Sequence, residues 1–505
     1  MTNETFSDRL KLAMQAKQFK QVDLIRAAQR RGVKLGKSHV SQYVSGKTVP
    51  RSDILHFLAD VLQVDPDWLL AKDSTVNYTA DTVSDSTESC SDPSAASLSQ
   101  TKTGGSPMRE FKKSSKLDNV LYDVRGPVVE EANRMEACGT QVLKLNIGNP
   151  APFGFRTPDE VIYDMSHQLT DCEGYSPSQG LFSARKAIMQ YAQLKKLPNV
   201  SIDDIYTGNG VSELINLCMS ALLDDGDEIL IPSPDYPLWT ACATLAGGKA
   251  VHYICDEQSE WYPDIDDIRS KITSNTKAIV IINPNNPTGG IMEKADLEKI
   301  AQVVRETGIL VISDEIYGEL TYGDRTHISF ASLPDMWQYT ITLNGFSKAF
   351  AMTGWRVGYA CGPKEILSVM LKIHQYSILC APRMGQVAAL EALQAGRAND
   401  YEDVRRMRDS YDRRRRLMVD SFRKMGLDCF EPLGAFYVFP SIKKTGLDSE
   451  AFCERLLNEY KIATVPGTAF GECGEGHIRC SYATGVEKLN IALERMSEFV
   501  DKCGK

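Results

Sequence analysis

The stretch YTITLNGFSKAFAMTGWRVGYA, residues 339–360, decides how the chain is read. It opens on an apolar run and breaks at Asn344-Gly345. It then delivers one lysine, Lys348, among Phe346, Ala349, Phe350 and Met352, and an arginine, Arg356, eight positions later. An apolar run that ends this way reads as a buried parallel strand, because strands covered on both faces lose the alternation of half-buried ones. Partial burial and a second cation both lower a lysine pKa, and the neutral amine is a nucleophile. Arg356 can hold an anion, most simply a phosphate. On this stretch alone, a snorkelling lysine and a structural arginine account for the residues equally well.

Three further runs resemble the first in character: DEILIPS (227–233), KAIVIINP (277–284) and GILVISDE (308–315), with helical stretches between them. The alternation predicts an α/β body with a mostly parallel central sheet flanked by helices. In such sheets ligands bind beyond the carboxyl ends of the strands, which is where the polar punctuation falls. NPNNPTGG (283–290) supplies Asn286, SDEIYGEL (313–320) supplies Asp314 and Tyr317, and the opening stretch supplies Lys348 and Arg356. Each could be a turn or cap residue by itself. Together they suit one ligand, pyridoxal 5'-phosphate. A lysine forms an imine with its aldehyde, an ionised aspartate holds its ring N–H, an amide and a phenol bond its ring oxygen, and an arginine binds its phosphate.

NPNNPTG, DEIY, SKAFAMTGWRVGY and HIRCSYA together make residues 116–505 resemble a fold-type I, class I aminotransferase. The stretches KLDNVLYDVRGP, LKLNIGNPAPFGF, GYSPSQGLFSARKAI, GNGVSELI and PSPDYPLWTA resemble the bacterial alanine (glutamate–pyruvate) branch. The resemblance implies the PLP-dependent transferase fold, with a smaller α/β domain beside the central sheet, in a homodimer; the odd, scattered set of cysteines fits reduced thiols and predicts a cytoplasmic protein. The resemblance also implies Lys348 as the imine-forming amine and proton shuttle, Asp314 at the ring nitrogen, Asn286 and Tyr317 at the ring oxygen, and Tyr236 stacked on the ring. Gly210, Val211, Ser212 and Arg356 fall to the phosphate, with Tyr175 reaching the phosphate held by the other subunit. Arg479 and the Gly148 backbone fall to the substrate carboxylate, with Asn286 alongside. Tyr122 and Arg125 belong to an N-terminal segment that closes over the substrate. Many relatives carry Ser or Thr three residues before the lysine; here that position is Gly345, and Ser347 or Asn344 is left to make the phosphate contact. The reaction implied moves an amino group between an L-amino acid, alanine foremost, and 2-oxoglutarate.

Upstream, residues 73–106 hold 15 Ser/Thr in 34 with few large apolar side chains. Such a segment cannot offset its ordering entropy, so residues 72–115 are expected to be a disordered linker. Residues 1–71 carry 11 Lys/Arg against 7 Asp/Glu, a head of +4 on a remainder of −13. A basic head on an acidic body predicts two tasks. In the head, Phe6, Leu10 and Met14 recur at helical spacing, and Val22, Leu24, Ile25 and Ala28 form a second apolar set. Gln21, Leu24, Ala28, the run Ser38–Tyr43, Gly46 and Pro50 resemble a Cro/C1-type helix-turn-helix, with a turn a few residues longer than usual. That implies double-stranded DNA as partner. Lys37, Ser38, His39, Ser41 and Gln42 would face the groove, while Lys34, Lys47 and Arg51 would reach phosphates.

Forty-three per cent hydrophobic and 24% charged residues describe a soluble globular protein, with no run approaching a membrane span. The 13 cysteines show no ligand spacing, and no metal is expected. The run Arg413–Arg416 is expected on a solvated helix face. The leading reading is a transaminase with an appended DNA-binding domain. The alternatives are a transcriptional regulator that uses the body as an amino-acid or cofactor sensor, and an enzyme that regulates itself. The completeness of the set Lys348, Asp314, Asn286, Tyr317 and Arg479 favours catalysis.

Overall fold

The computed structural model describes residues 5–17, 19–30, 33, 35–62, 64, 66–70, 112–118, 120, 126–151, 154–198 and 200–503. They fall into two compact units, one within residues 1–108 and one within 109–505.

Among the described residues the first unit has five helices: α1 (Phe6–Ala16), α2 (Gln21–Arg30), α3 (Lys37–Val44), α4 (Ser52–Leu62) and α5 (Pro66–Leu69). Thr5 caps α1 through its hydroxyl, and Asp8 reaches back to the Thr5 N–H at 3.0 Å. Two otherwise orphaned donors are thereby satisfied. Phe6, Leu10 and Met14 are buried together with Leu24 and Ala28 of α2, Val40 of α3, and Leu55, Leu58 and Leu62 of α4. Val22 departs from expectation and is 45% exposed. With Leu24 and Ala28 turned inward one helical turn apart, a residue two positions before Leu24 must point away.

The second unit is α/β. Its strands in chain order are β1 (Leu143–Lys144), β2 (Ile205–Gly208), β3 (Glu228–Ser233), β4 (Lys249–Asp256), β5 (Tyr262–Pro263), β6 (Thr276–Ile282), β7 (Leu310–Asp314), β8 (Thr340–Gly345), β9 (Gly358–Cys361), β10 (Tyr437–Val438), β11 (Ile462–Ala463), β12 (Val465–Pro466) and β13 (Ile478–Ser481). Eight form one sheet in the order β2-β9-β8-β7-β6-β3-β4-β5. Strands β8, β7, β6, β3 and β4 run parallel, while β9 opposes both β2 and β8, and β5 opposes β4. The four apolar runs of the sequence are the central strands β8, β7, β6 and β3. Their alternate residues feed opposite cores: Val280 and Ile282 pack with the helices Val211–Leu222, Leu238–Ala246 and Lys364–Ser377, whereas Ile279 and Ile281 pack with the helix Lys294–Thr307.

A smaller layer joins the three strands β10-β13-β12 to helices Glu402–Lys424, Ser449–Tyr460 and Val486–Cys503 around Phe422, Phe436, Phe452 and Phe499. The arginine run corrects the expectation of a solvated face. Arg414 and Arg415 are buried in this layer, and only Arg413 and Arg416 are exposed. Arg415 pairs with Asp412 and Glu431 and stacks on Tyr322; Arg414 donates to the Ala483 carbonyl and stacks on Phe155 and Tyr411. Adjacent helical positions sweep 100° each, so a run of four must turn some members inward. Among the described residues no helix is long and apolar enough to cross a membrane.

Candidate active site

The carboxyl ends of β7, β8, β6 and β2 converge on a cavity of about 570 Å³. Its lining includes Lys348, Asp314, Asn286, Tyr317, Tyr236, Val211, Ser212, Ser347, Arg356, Gly148 and Arg479. Lys348 follows β8 and donates from Nζ to the Gly148 carbonyl at 2.9 Å. The rings of Tyr317 and Phe436 lie 5.9 and 5.5 Å from its ammonium. Burial first, then Arg479 and Arg356, lower its pKa from 10.5 to about 8. Asp314 ends β7, accepts the Ile316 N–H at 3.2 Å, and is pushed from 3.8 to about 7 by burial. The sequence alone implies an ionised carboxylate, and burial makes the difference. A carboxylate in this environment needs a cation at its oxygens to remain so.

Arg479, on β13, is buried. It donates to Asn286 Oδ1 at 2.9 Å and to the Asn146 carbonyl at 3.0 Å, and lies over the rings of Tyr437 and Phe470 at 4.4 and 4.8 Å. No acidic side chain pairs with it among the described residues, and its Nε has no partner there. Tyr317 meets the Tyr437 hydroxyl at 3.1 Å. At Gly148 a Cβ would stand 2.0 Å from that same hydroxyl, so only glycine lets the backbone approach Tyr437.

Arg356 stands two residues before β9. Because β9 runs antiparallel, its starting end lies beside the finishing ends of β2 and β8. Arg356 has φ +51, a conformation that costs a non-glycine residue and clusters at functional sites. Its guanidinium donates to the carbonyls of Thr353 and Asn209 at 3.0 and 3.5 Å. Gly210, with φ +76, stands before the helix Val211–Leu222, and a Cβ there would meet Arg356 Nη2 at 2.4 Å. The Gly210 N–H is spent on the Gly208 carbonyl at 2.9 Å. Gly210 therefore acts as a turn, and the N–H groups of Val211 and Ser212 open the helix.

At Gly345 a Cβ would stand 3.0 Å from both Gly358 Cα and the Val357 carbonyl, which crowds any side chain. Ser347 lines the cavity, and Asn344 does not. Tyr175 is 81% exposed and lines a shallow surface recess with Asn209 and Arg383, outside the cavity of its own chain. Tyr122 and Arg125 lie outside the described residues. So do Lys34, the side chain of Ser38 and most of the linker. In the first unit, α3 buries Val40 and exposes Lys37, His39, Ser41 and Gln42; Lys47 and Arg51 are also exposed. His39 Nδ1 also accepts the Gly36 N–H at 3.4 Å. Sequence reasoning missed Tyr437, Asn146, Asn149 and Thr353, all in the cavity wall. The aromatic density of GAFYVFP (434–440) was the available signal for Tyr437.

Residues 140–496 match the family model for aminotransferase class I and II. The chain belongs to that family. The aminotransferase is 45% identical over 407 residues to the glutamate-pyruvate aminotransferase AlaA of Escherichia coli, covering 78% of this chain and 98% of that protein. It is 43% identical over 403 residues to the alanine aminotransferase of Mycobacterium bovis, covering 78% and 93%. A solved aminotransferase from Escherichia coli superposes with a TM-score of 0.72 at 42% identity, covering 78% of this chain and 98% of that one.

The cofactor of the class is pyridoxal phosphate, and the cavity fits it. Among the described residues that line it, three cations, Lys348, Arg356 and Arg479, face one acid, Asp314. A helix N-terminus favours an anion. The buried Oδ1 atoms of Asn146 and Asn209 have no partner among the described residues.

Proposed function

We propose that the aminotransferase exchanges an amino group between alanine and 2-oxoglutarate, giving pyruvate and glutamate in two half-reactions. The observation that carries the reading is Lys348, its pKa brought down to about 8, in one cavity with Asp314 and the buried Arg479. The alanine preference draws on the glutamate-pyruvate and alanine aminotransferases that the chain resembles. When bound, the cofactor supplies an aldehyde and a cationic ring that accepts electrons from the substrate Cα. Lys348 would hold the aldehyde and move the Cα proton. Asp314 would keep the ring N–H in place, and that cation would in turn keep Asp314 ionised. Asn286 and Tyr317 would bond the ring oxygen, and Tyr236 would cover the ring. Val211, Ser212, Ser347 and Arg356 would hold the phosphate, with Tyr175 added from the other subunit of a homodimer; its exposure on its own chain supports that use. Arg479 would fork onto the substrate carboxylate, a geometry lysine cannot reproduce. Tyr122 and Arg125 would close the substrate side.

A panel of amino donors with 2-oxoglutarate, read by glutamate formation, tests the specificity. Alanine should show the highest kcat/KM; a higher value for aspartate or an aromatic donor would remove the alanine assignment. The head is proposed to bind double-stranded DNA through α3, in cytoplasm, because its exposed polar face lies over a buried apolar one. Salt-dependent binding of full-length protein to duplex, absent from residues 107–505, tests that part. A purely sensing role is disfavoured by the complete set of reactive side chains.

A further inference from the structure

The helix that opens on the anion cradle carries one acid in its first turn, Glu213. A carboxylate there is a natural rival to a bound phosphate, since a first-turn Glu folds back onto free N–H groups. In this chain both of its oxygens are engaged elsewhere. Oε2 accepts the Asn209 N–H at 2.5 Å, before the helix begins. Oε1 lies 3.1 Å from Nδ1 of His374, on the helix Lys364–Ser377. A carboxylate only accepts, so that ring nitrogen donates. His374 is fully buried, packed beside Tyr206 with ring centroids 5.8 Å apart. Its Nε2 and the Tyr206 hydroxyl are both without partners among the described residues. The imidazole is thus placed in the core for one polar contact, the one to Glu213.

We infer that His374 is a positioning residue that restrains Glu213, so that Asn209 is held and the Val211 and Ser212 N–H groups stay open to a phosphate. The chain of contacts continues past Glu213, because the Asn209 carbonyl accepts from Arg356 Nη2 at 3.5 Å. One buried imidazole therefore organises both halves of the anion cradle, the helix N-terminus and the guanidinium. Without it, the carboxylate swings toward the helix opening and repels the phosphate it now guards. The inference rests on the reading that the phosphate sits at Val211, Ser212 and Arg356.

The test measures dissociation constants of full-length protein for pyridoxal phosphate and for pyridoxal, which lacks the phosphate, by absorbance of the lysine adduct. His374→Leu should weaken pyridoxal phosphate roughly tenfold, the order expected when an acid is freed at a helix N-terminus, and leave pyridoxal nearly unchanged. His374→Asn keeps a donor near Nδ1 and should stay close to wild type. Glu213→Gln combined with His374→Leu should recover the affinity, because the freed side chain no longer carries charge. Equal weakening of both ligands by His374→Leu, or a double variant no better than the single, overturns the inference. If wild-type protein does not prefer pyridoxal phosphate over pyridoxal, the phosphate placement fails first and the inference with it. Should His374→Leu not fold, His374→Met carries the same comparison.

Discussion

The two units bury different things. In the five-helix unit, Ser7 is the one buried polar side chain among the described residues; every other buried side chain in its core is apolar. The aminotransferase unit buries Asp314, Glu315, His374, Arg414, Arg415 and Arg479. Burying a charge costs several kcal/mol unless partners recover it. Arg414 and Arg415 have theirs, in a carbonyl, two acids and aromatic faces. Asp314 and Arg479 have only neutral partners among the described residues, Asp314 an N–H and Arg479 an amide oxygen, a carbonyl and two rings, and unlike Arg414 they stand in the wall of the cavity. Uncompensated burial marks where a molecule expects a ligand. Among its described residues the head buries no charged side chain.

Four substitutions test that contrast, from the strongest expected effect to the weakest. Lys348→Ala should lower turnover by roughly 10⁴-fold or more, because imine formation and proton transfer share that amine. Borohydride reduction of wild-type holoenzyme followed by peptide mapping should label Lys348, and a label elsewhere sinks the assignment. Asp314→Asn should cost roughly 10³-fold in kcat yet stabilise the cofactor-free protein at pH 8. The sign follows from a folded-state pKa raised from 3.8 to about 7. The folded state then holds the proton more tightly, so the contribution of Asp314 is favourable below pH 3.8 and lost as pH rises to 7. Removing the carboxyl should recover on the order of 2–4 kcal/mol in urea melts at pH 8. A less stable variant would mean that the site tolerates the charge without help.

Arg479→Lys should cut kcat/KM roughly 10²-fold through the loss of two-pronged carboxylate binding, with pyridoxal phosphate affinity unchanged. If cofactor affinity falls as well, Arg479 is part of the cofactor site and the substrate assignment goes. In the head, Lys47→Ala should weaken duplex binding a few-fold on all sequences alike and reduce its salt slope by about one. Transamination should be unaffected. A sequence-selective loss would move Lys47 from phosphate to base contact.

What the sequence disclosed follows the same division. The central strands were legible because β3, β6, β7 and β8 are continuous apolar runs with one punctuation each, and that punctuation pointed at the cavity. Strand β9 was not, since Gly358–Cys361 is short and its reversed direction leaves no trace in composition. Arg414 and Arg415 were misread because a charged run hides the helical phase of its members. Tyr437 and Asn146 reach the site from segments distant in sequence, and pairing over such separations is not encoded in any local pattern. The ionisation of Asp314 depends on burial, which only the packed structure supplies. Val22 was a smaller error of phase, correctable by counting from Leu24.

Strand β9 runs back alongside β8, with Asn344 opposite Tyr359 and Gly345 opposite Gly358. Residues 346–357, which carry both Lys348 and Arg356, are thus a loop fastened at both ends by the same ladder. Its contour length works as a gauge block. Substitutions inside it change the chemistry at either end, but adding or deleting a residue changes the spacing between amine and guanidinium, and no side chain can restore that.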